Sequence, residues 1–126
     1  MNKSVIINSK SILVVDDVAI NRLLPGLILR PFGWSVYESS GGLGALSVMA
    51  EVQVSCVLLD ISMPDVSGLD VLADLRRNSA FKKVRFIAYT AYAQMEDVSY
   101  LISLGFDFVL IKPLTSAKLL ELFELN

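Results

Sequence analysis

Short apolar runs alternate along this chain with stretches in which apolar positions recur at helical spacing. The runs Ile12–Val15, Trp34–Ser39, Gln53–Leu59, Val84–Tyr89 and Phe106–Ile111 read as strands. Between them, helices are predicted over Ala19–Arg30, Gly42–Glu51, Leu69–Arg77 and Met95–Leu104. Thr115 or Ser116 caps a last helix through Phe123. Ile20, Leu23, Leu24, Leu27 and Ile28 share one face of the first helix. Leu69, Leu72 and Leu75 point inward from the third, and Leu119, Leu120 and Phe123 from the last. Pro25 falls inside the first helix, where its missing N–H and its ring predict a kink or local break within one continuous element. Pro31-Phe32-Gly33 stops that helix, and Gly105 ends the fourth as a C-cap.

Strand and helix thus alternate through the whole chain. Short connections between such elements imply a parallel sheet with right-handed crossovers and helices on both faces. Sheets of this kind bind ligands beyond the carboxyl ends of their strands. The residues at those ends are therefore the candidates for chemistry. The first strand ends in Asp16-Asp17, the third in Asp60, the fourth in Thr90 and the fifth in Lys112-Pro113.

Composition narrows what that edge can do. At 126 residues the chain fits one domain, read as a leader over 1–10 and a domain over 11–126. An apolar content of 54% suits strands buried on both faces, and would also suit a face-to-face homodimer. The net charge of −2 with no basic run argues against a nucleic-acid surface. The chain contains no His, which removes His-based metal sites, His nucleophiles and Ser/His/Asp triads together. The single Cys56 lies in an apolar strand and is expected to be buried and inert. With neither a signal peptide nor a membrane-length apolar run, a cytoplasmic domain without membrane contact is expected.

If Asp16, Asp17 and Asp60 lie roughly 5 Å apart, each like-charged pair costs about 3 kcal/mol at an effective dielectric near 20. Lys112 offsets part of that cost, and a divalent cation would offset more. Hard oxygen ligands select Mg²⁺, or Mn²⁺, over Zn²⁺. A carboxylate beside such a cation and an ammonium is suited to accept a phosphoryl group, and the Thr90 hydroxyl could bind a phosphoryl oxygen afterwards. Taken singly, an Asp at a strand end or a Lys-Pro stop is an ordinary turn feature. The ordered set is what carries weight.

The residues Val14-Val15-Asp16-Asp17, Asp60-Ile61-Ser62-Met63-Pro64-Asp65 with Gly68, Thr90-Ala91 and Lys112-Pro113-Leu114 resemble the receiver domain of two-component response regulators. The likeness covers residues 10 to 124, and Asn21-Arg22-Leu23 adds a resemblance to receivers of hybrid kinases and phosphorelays. It implies a flavodoxin-like fold with strand order 2-1-3-4-5. It also implies a signalling phosphoacceptor, not an enzyme with a separate substrate. Asp60 would be the acceptor, charged from a phosphohistidine on a histidine kinase or histidine phosphotransfer protein. Asp17, Asp60 and the backbone carbonyl of Ser62 would hold Mg²⁺, with Asp16 acting through a water. Lys112 would contact the phosphoryl group and Thr90 would move to it, switching a surface that binds a downstream protein. The Lys112-Pro113 bond is often cis in similar proteins. Ser62 and Tyr92 occupy positions that tune phosphoryl lifetime there, and bulky Tyr92 is expected to slow self-dephosphorylation relative to Tyr92→Ala. In one respect the chain departs from the family. The switch aromatic three residues before the Lys is replaced by Val109, and strand alternation turns the neighbouring Phe108 to the opposite face.

Other readings are weaker. Gly42-Leu43-Gly44 partly imitates a dinucleotide fingerprint, but Ser47 takes the third small position and the unit is the second in the chain. An Mg²⁺-dependent aspartyl-phosphate phosphatase usually carries a second Asp two residues after its nucleophile, where this chain has Ser62. A non-phosphorylated interaction module would have lost an acid, the Thr or the Lys, and this chain keeps them all.

Overall fold

Five parallel strands form one sheet in the order β2-β1-β3-β4-β5 in the computed structural model, which describes residues 10–64, 66–91 and 95–124. The strands are β1 (Ser11–Val15), β2 (Ser35–Ser39), β3 (Cys56–Asp60), β4 (Arg85–Thr90) and β5 (Phe108–Ile111). The helices are α1 (Ala19–Leu29), α2 (Gly42–Glu51), α3 (Gly68–Arg76), α4 (Met95–Ser103) and α5 (Ser116–Leu122). The leader assigned to 1–10 lies, apart from Lys10, outside the described residues. Sequence boundaries hold to within a few residues. The largest shifts are at the starts of β3 and β5, and β4 extends to include Thr90. The Lys112–Pro113 bond is cis.

Successive side chains of a strand point to opposite faces, so the sheet carries two apolar layers. Leu13, Val15, Val57, Leu59, Phe86 and Ala88 line one, against Val71, Leu72 and Leu75 of α3. Ile12, Val14, Cys56, Leu58, Ile87, Tyr89 and Leu110 line the other, against Leu29 of α1 and Leu119 of α5. Val109 packs on the first layer and Phe108 on the second, as alternation requires. Cys56 is fully buried and burial pushes its thiol pKa well above the ordinary range, in keeping with an inert role.

The first helix corrects the reading of its apolar stripe. α1 crosses Pro25 as one helix, but the residues it buries are Pro25, Gly26 and Leu29. Ile20, Leu23 and Leu27 are exposed, and Leu24 and Ile28 are half-buried. Leu24 and Ile28 pack beside Leu29 on the second layer, and the Arg30 side chain covers Gly26, so the buried side is rotated from the predicted stripe. Leu120 of α5 is likewise only half-buried, while Leu119 and Phe123 are in the core.

A polar knot closes the far end of the sheet. Arg76 Nη2 donates to Asp107 Oδ2 at 2.8 Å and to the Gly105 carbonyl at 2.7 Å. The Phe86 N–H donates to the same Asp107 oxygen at 2.8 Å, and the Arg76 guanidinium lies 4.5 Å from the Phe86 ring centre. Asp107 thus ties the end of α3 to the starts of β4 and β5. Asp107→Ala would leave the Phe86 N–H without its acceptor and the Arg76 guanidinium without its counter-charge, and it is expected to lower stability by about 2–3 kcal/mol in urea unfolding.

Candidate phosphoacceptor site

The rows of the second layer run on past the strand ends. Ile12-Val14 leads to Asp16, Cys56-Leu58 to Asp60, and Leu110 to Lys112. Both flanking chains are still held in the sheet at that point. The Asp16 N–H donates to the Ser39 carbonyl at 3.1 Å, and the Lys112 N–H donates to the Thr90 carbonyl at 2.7 Å. Period two therefore brings two acids and the base to one side of one edge. Thr90 ends β4 with the opposite parity, and is buried.

Asp16 and Asp60 are almost completely buried, and Asp17 is exposed. One carboxylate oxygen from each of the three lies within 4.8 Å of the others. Lys112 Nζ stands between the buried pair, 3.0 Å from Asp16 Oδ2 and 3.2 Å from Asp60 Oδ1. Apart from that ammonium, no donor reaches Asp16 Oδ2 among the described residues, while Oδ1 accepts from the Val18 N–H at 2.8 Å. Arg22 Nη1 donates to the Asp16 carbonyl at 2.8 Å and pins the loop from below.

The two oxygens of Asp60 differ. Oδ1 accepts from the Ser62 N–H at 3.2 Å as well as from Lys112. Among the described residues, no donor is assigned to Oδ2. Burial, and then the Asp16 charge, push the Asp60 carboxyl above its usual range against the pull of Lys112. Burial lowers Lys112, but its hydrogen bond and charge contacts with Asp16, and then Asp60, outweigh that and hold it above the ordinary lysine value. An acid with a raised folded-state pKa costs stability once ionised. That cost is absent below the unfolded carboxylate value of 3.8 and grows as pH rises through the folded value. Metal-free Asp60→Asn is therefore expected to be more stable than the parent at pH 7. The difference should close on acidification, as thermal melts across pH would record.

The donor set fits a small hard cation: clustered carboxylates, a buried Asp16 oxygen approached only by the Lys112 ammonium among the donors of the described residues, and an exposed Asp17 with no assigned partner among them. Of the other sequence candidates, Ser62 is exposed beside Asp60. Tyr92 and Asp65 lie outside the described residues. Arg22 and Tyr89 were not singled out for the site from sequence. Arg22 was seen only within the Asn21-Arg22-Leu23 resemblance, and Tyr89 carried no signal beyond being the last apolar residue of a strand.

Comparisons with known proteins show the family and the fold. The response regulator receiver domain family matches residues 12–124. The polar-differentiation response regulator DivK of Brucella ovis is 28% identical over 113 residues, covering 90% of this chain and 92% of its own. The receiver domain of a sensor histidine kinase from Pseudomonas aeruginosa, solved with a magnesium ion in its active site cleft, superposes with a TM-score of 0.80 at 25% identity, covering 92% of this chain and 95% of that one. The fold is also that of a chemotaxis response regulator of Vibrio cholerae, with a TM-score of 0.85 at 22% identity over 93% of this chain and 98% of that one. With its strand order, its acid cluster and a family match over nearly its whole length, the chain belongs to the response regulator receiver domains, the phosphoacceptor modules of two-component signalling.

Proposed function

We propose that Asp60 accepts a phosphoryl group from a phosphohistidine on a histidine kinase or histidine phosphotransfer protein. The observation that carries this reading is the asymmetry of Asp60. One oxygen is held by Lys112 and the Ser62 N–H, and the other has no assigned donor at the open end of the sheet. In the transfer, that carboxylate forms the new P–O bond as the P–N bond breaks, and the imidazole keeps the electron pair and takes up a proton. Asp17, Asp60 and the Ser62 carbonyl would hold Mg²⁺, or Mn²⁺ in its place, and Asp16, already engaged by Val18 and Lys112, would act through a water. The bound cation would neutralise charge on the phosphoryl oxygens. Lys112 bonds the phosphoryl group from the other side, and Thr90 moves to hydrogen-bond it after transfer.

The output is a change of surface recognised by a downstream protein. Val109 takes the place of the family's switch aromatic, so the rearrangement runs through Thr90 and the residues after it. The test is intact mass after incubation with acetyl phosphate and Mg²⁺. One phosphoryl increment is expected on the parent chain and none on Asp60→Asn. Loss of the increment on omitting the metal supports the cation site. Steady Asp60-dependent turnover of a small phosphate ester would instead make the chain a phosphatase. No labelling of the folded chain would make it a non-phosphorylated interaction module.

A further inference from the structure

Lys112 reaches Asp60 and Asp16 across an intervening strand. With strands about 4.8 Å apart, β5 and β3 are separated by roughly 10 Å, more than a lysine side chain spans, so the ammonium meets the carboxylates over β4, with the Asp60 and Asp16 side chains covering the rest of the gap. What lies on β4 in that row is Tyr89. It is the register partner of Asp60, its carbonyl accepts from the Ile61 N–H at 3.3 Å, and its ring is fully buried in the layer that leads to the site. Lys112 Nζ sits 4.7 Å from the centre of that ring. The phenol oxygen is buried and has no hydrogen-bond partner among the described residues, so the hydroxyl anchors nothing identifiable.

We propose that Tyr89 is a positioning residue for phosphoryl transfer, its ring forming the floor that carries the Lys112 ammonium over β4 beside the acceptor. A lysine stem has four carbons of free rotation and its charge is a point without direction. Two carboxylates alone would pull it laterally without fixing its height over the sheet. An aromatic face attracts a cation within about 6 Å, most strongly where water is excluded. Here the ring is fully buried in the second apolar layer, where close packing holds it in place. The role belongs to the ring and not to the hydroxyl.

This inference rests on the phosphoacceptor reading for its kinetic consequence but not for its geometry, and the test separates the two. The Lys112 ε-methylene proton resonances of the unphosphorylated chain are expected to be shifted upfield by the ring, in the parent and in Tyr89→Phe, and to return to the ordinary lysine position in Tyr89→Leu. Labelling by saturating acetyl phosphate with Mg²⁺ should be within about twofold of the parent for Tyr89→Phe and slower by about tenfold for Tyr89→Leu. In a Lys112→Met background, Tyr89→Leu should slow labelling no further. Unshifted Lys112 resonances in the parent would overturn the proposal, even if Tyr89→Leu failed to fold. So would Tyr89→Phe labelling as slowly as Tyr89→Leu, or the leucine variant keeping its full effect without Lys112. A parent chain with shifted resonances that takes no label would overturn the phosphoacceptor reading alone.

Discussion

Metal-free Lys112→Met is expected to lose about 3 kcal/mol of stability and to label with acetyl phosphate about 10²-fold more slowly than the parent. The two effects share one cause. Asp16 and Asp60 are both buried, and their facing oxygens lie within 4.8 Å. At an effective dielectric near 20 that pair repels by roughly 3 kcal/mol, and the Lys112 ammonium between them is what makes it tolerable. Methionine keeps most of the stem and removes the charge, so the loss is electrostatic and not a cavity. Relief is available by protonation, since Asp60 already holds its proton more tightly than a free carboxyl. The deficit should therefore be largest at alkaline pH and shrink on acidification. Mg²⁺ should raise the melting temperature of the variant more than that of the parent, because the cation replaces the missing charge. It should not restore labelling, because the ammonium proposed to bond the phosphoryl group stays absent. Equal melting of both proteins without metal would show that the Asp16–Lys112–Asp60 triad is not under the electrostatic tension its distances imply.

The site was legible in the sequence because β-structure has period two. Asp16, Asp60 and Lys112 extend apolar rows by one residue each, and a one-dimensional pattern is enough to place them at strand ends. Strand alternation also assigned Val109 and Phe108 to opposite layers. The orientation of α1 was not legible. Its leucines and isoleucines recur at helical spacing, yet the buried side is rotated from that stripe to Pro25 and Leu29, with only Leu24 and Ile28 of the stripe packed against the core. Spacing reports which residues share a face and is silent on which face a neighbour will accept. Tyr89 was missed for a related reason. An aromatic at the end of a buried strand looks like core, and only strand order puts it between Asp60 on β3 and Lys112 after β5.

Gly68→Ala should be the most damaging methyl group that can be added to this protein near the site. After Asp60 the chain turns and comes back, so that Gly68 opens α3 directly against the strand it has just left. Its N–H donates to the Ile61 carbonyl at 3.0 Å. A Cβ there would overlap the Asp60 carbonyl oxygen, and it would stand 2.9 Å from the Asp60 carbonyl carbon and 3.0 Å from the Ile61 Cα. All three are backbone atoms, so no rotamer change gives relief. Either α3 lifts, carrying Val71, Leu72 and Leu75 with it, or the end of β3 bends and takes the Asp60 carboxylate out of line. The first costs core packing, at the top of the ~1–3 kcal/mol range for overpacking. The second costs rate, since a displacement of about 1 Å at a reacting group is worth about 10²-fold. Gly41→Ala is the matched control. Gly41 precedes α2 in the glycine-rich turn after β2, its backbone is extended at φ −171°, and an added Cβ meets nothing within 4 Å. That variant should melt and label like the parent, while Gly68→Ala should do neither. If the two variants melt together, the close return of α3 onto β3 is not what holds the acceptor strand in place.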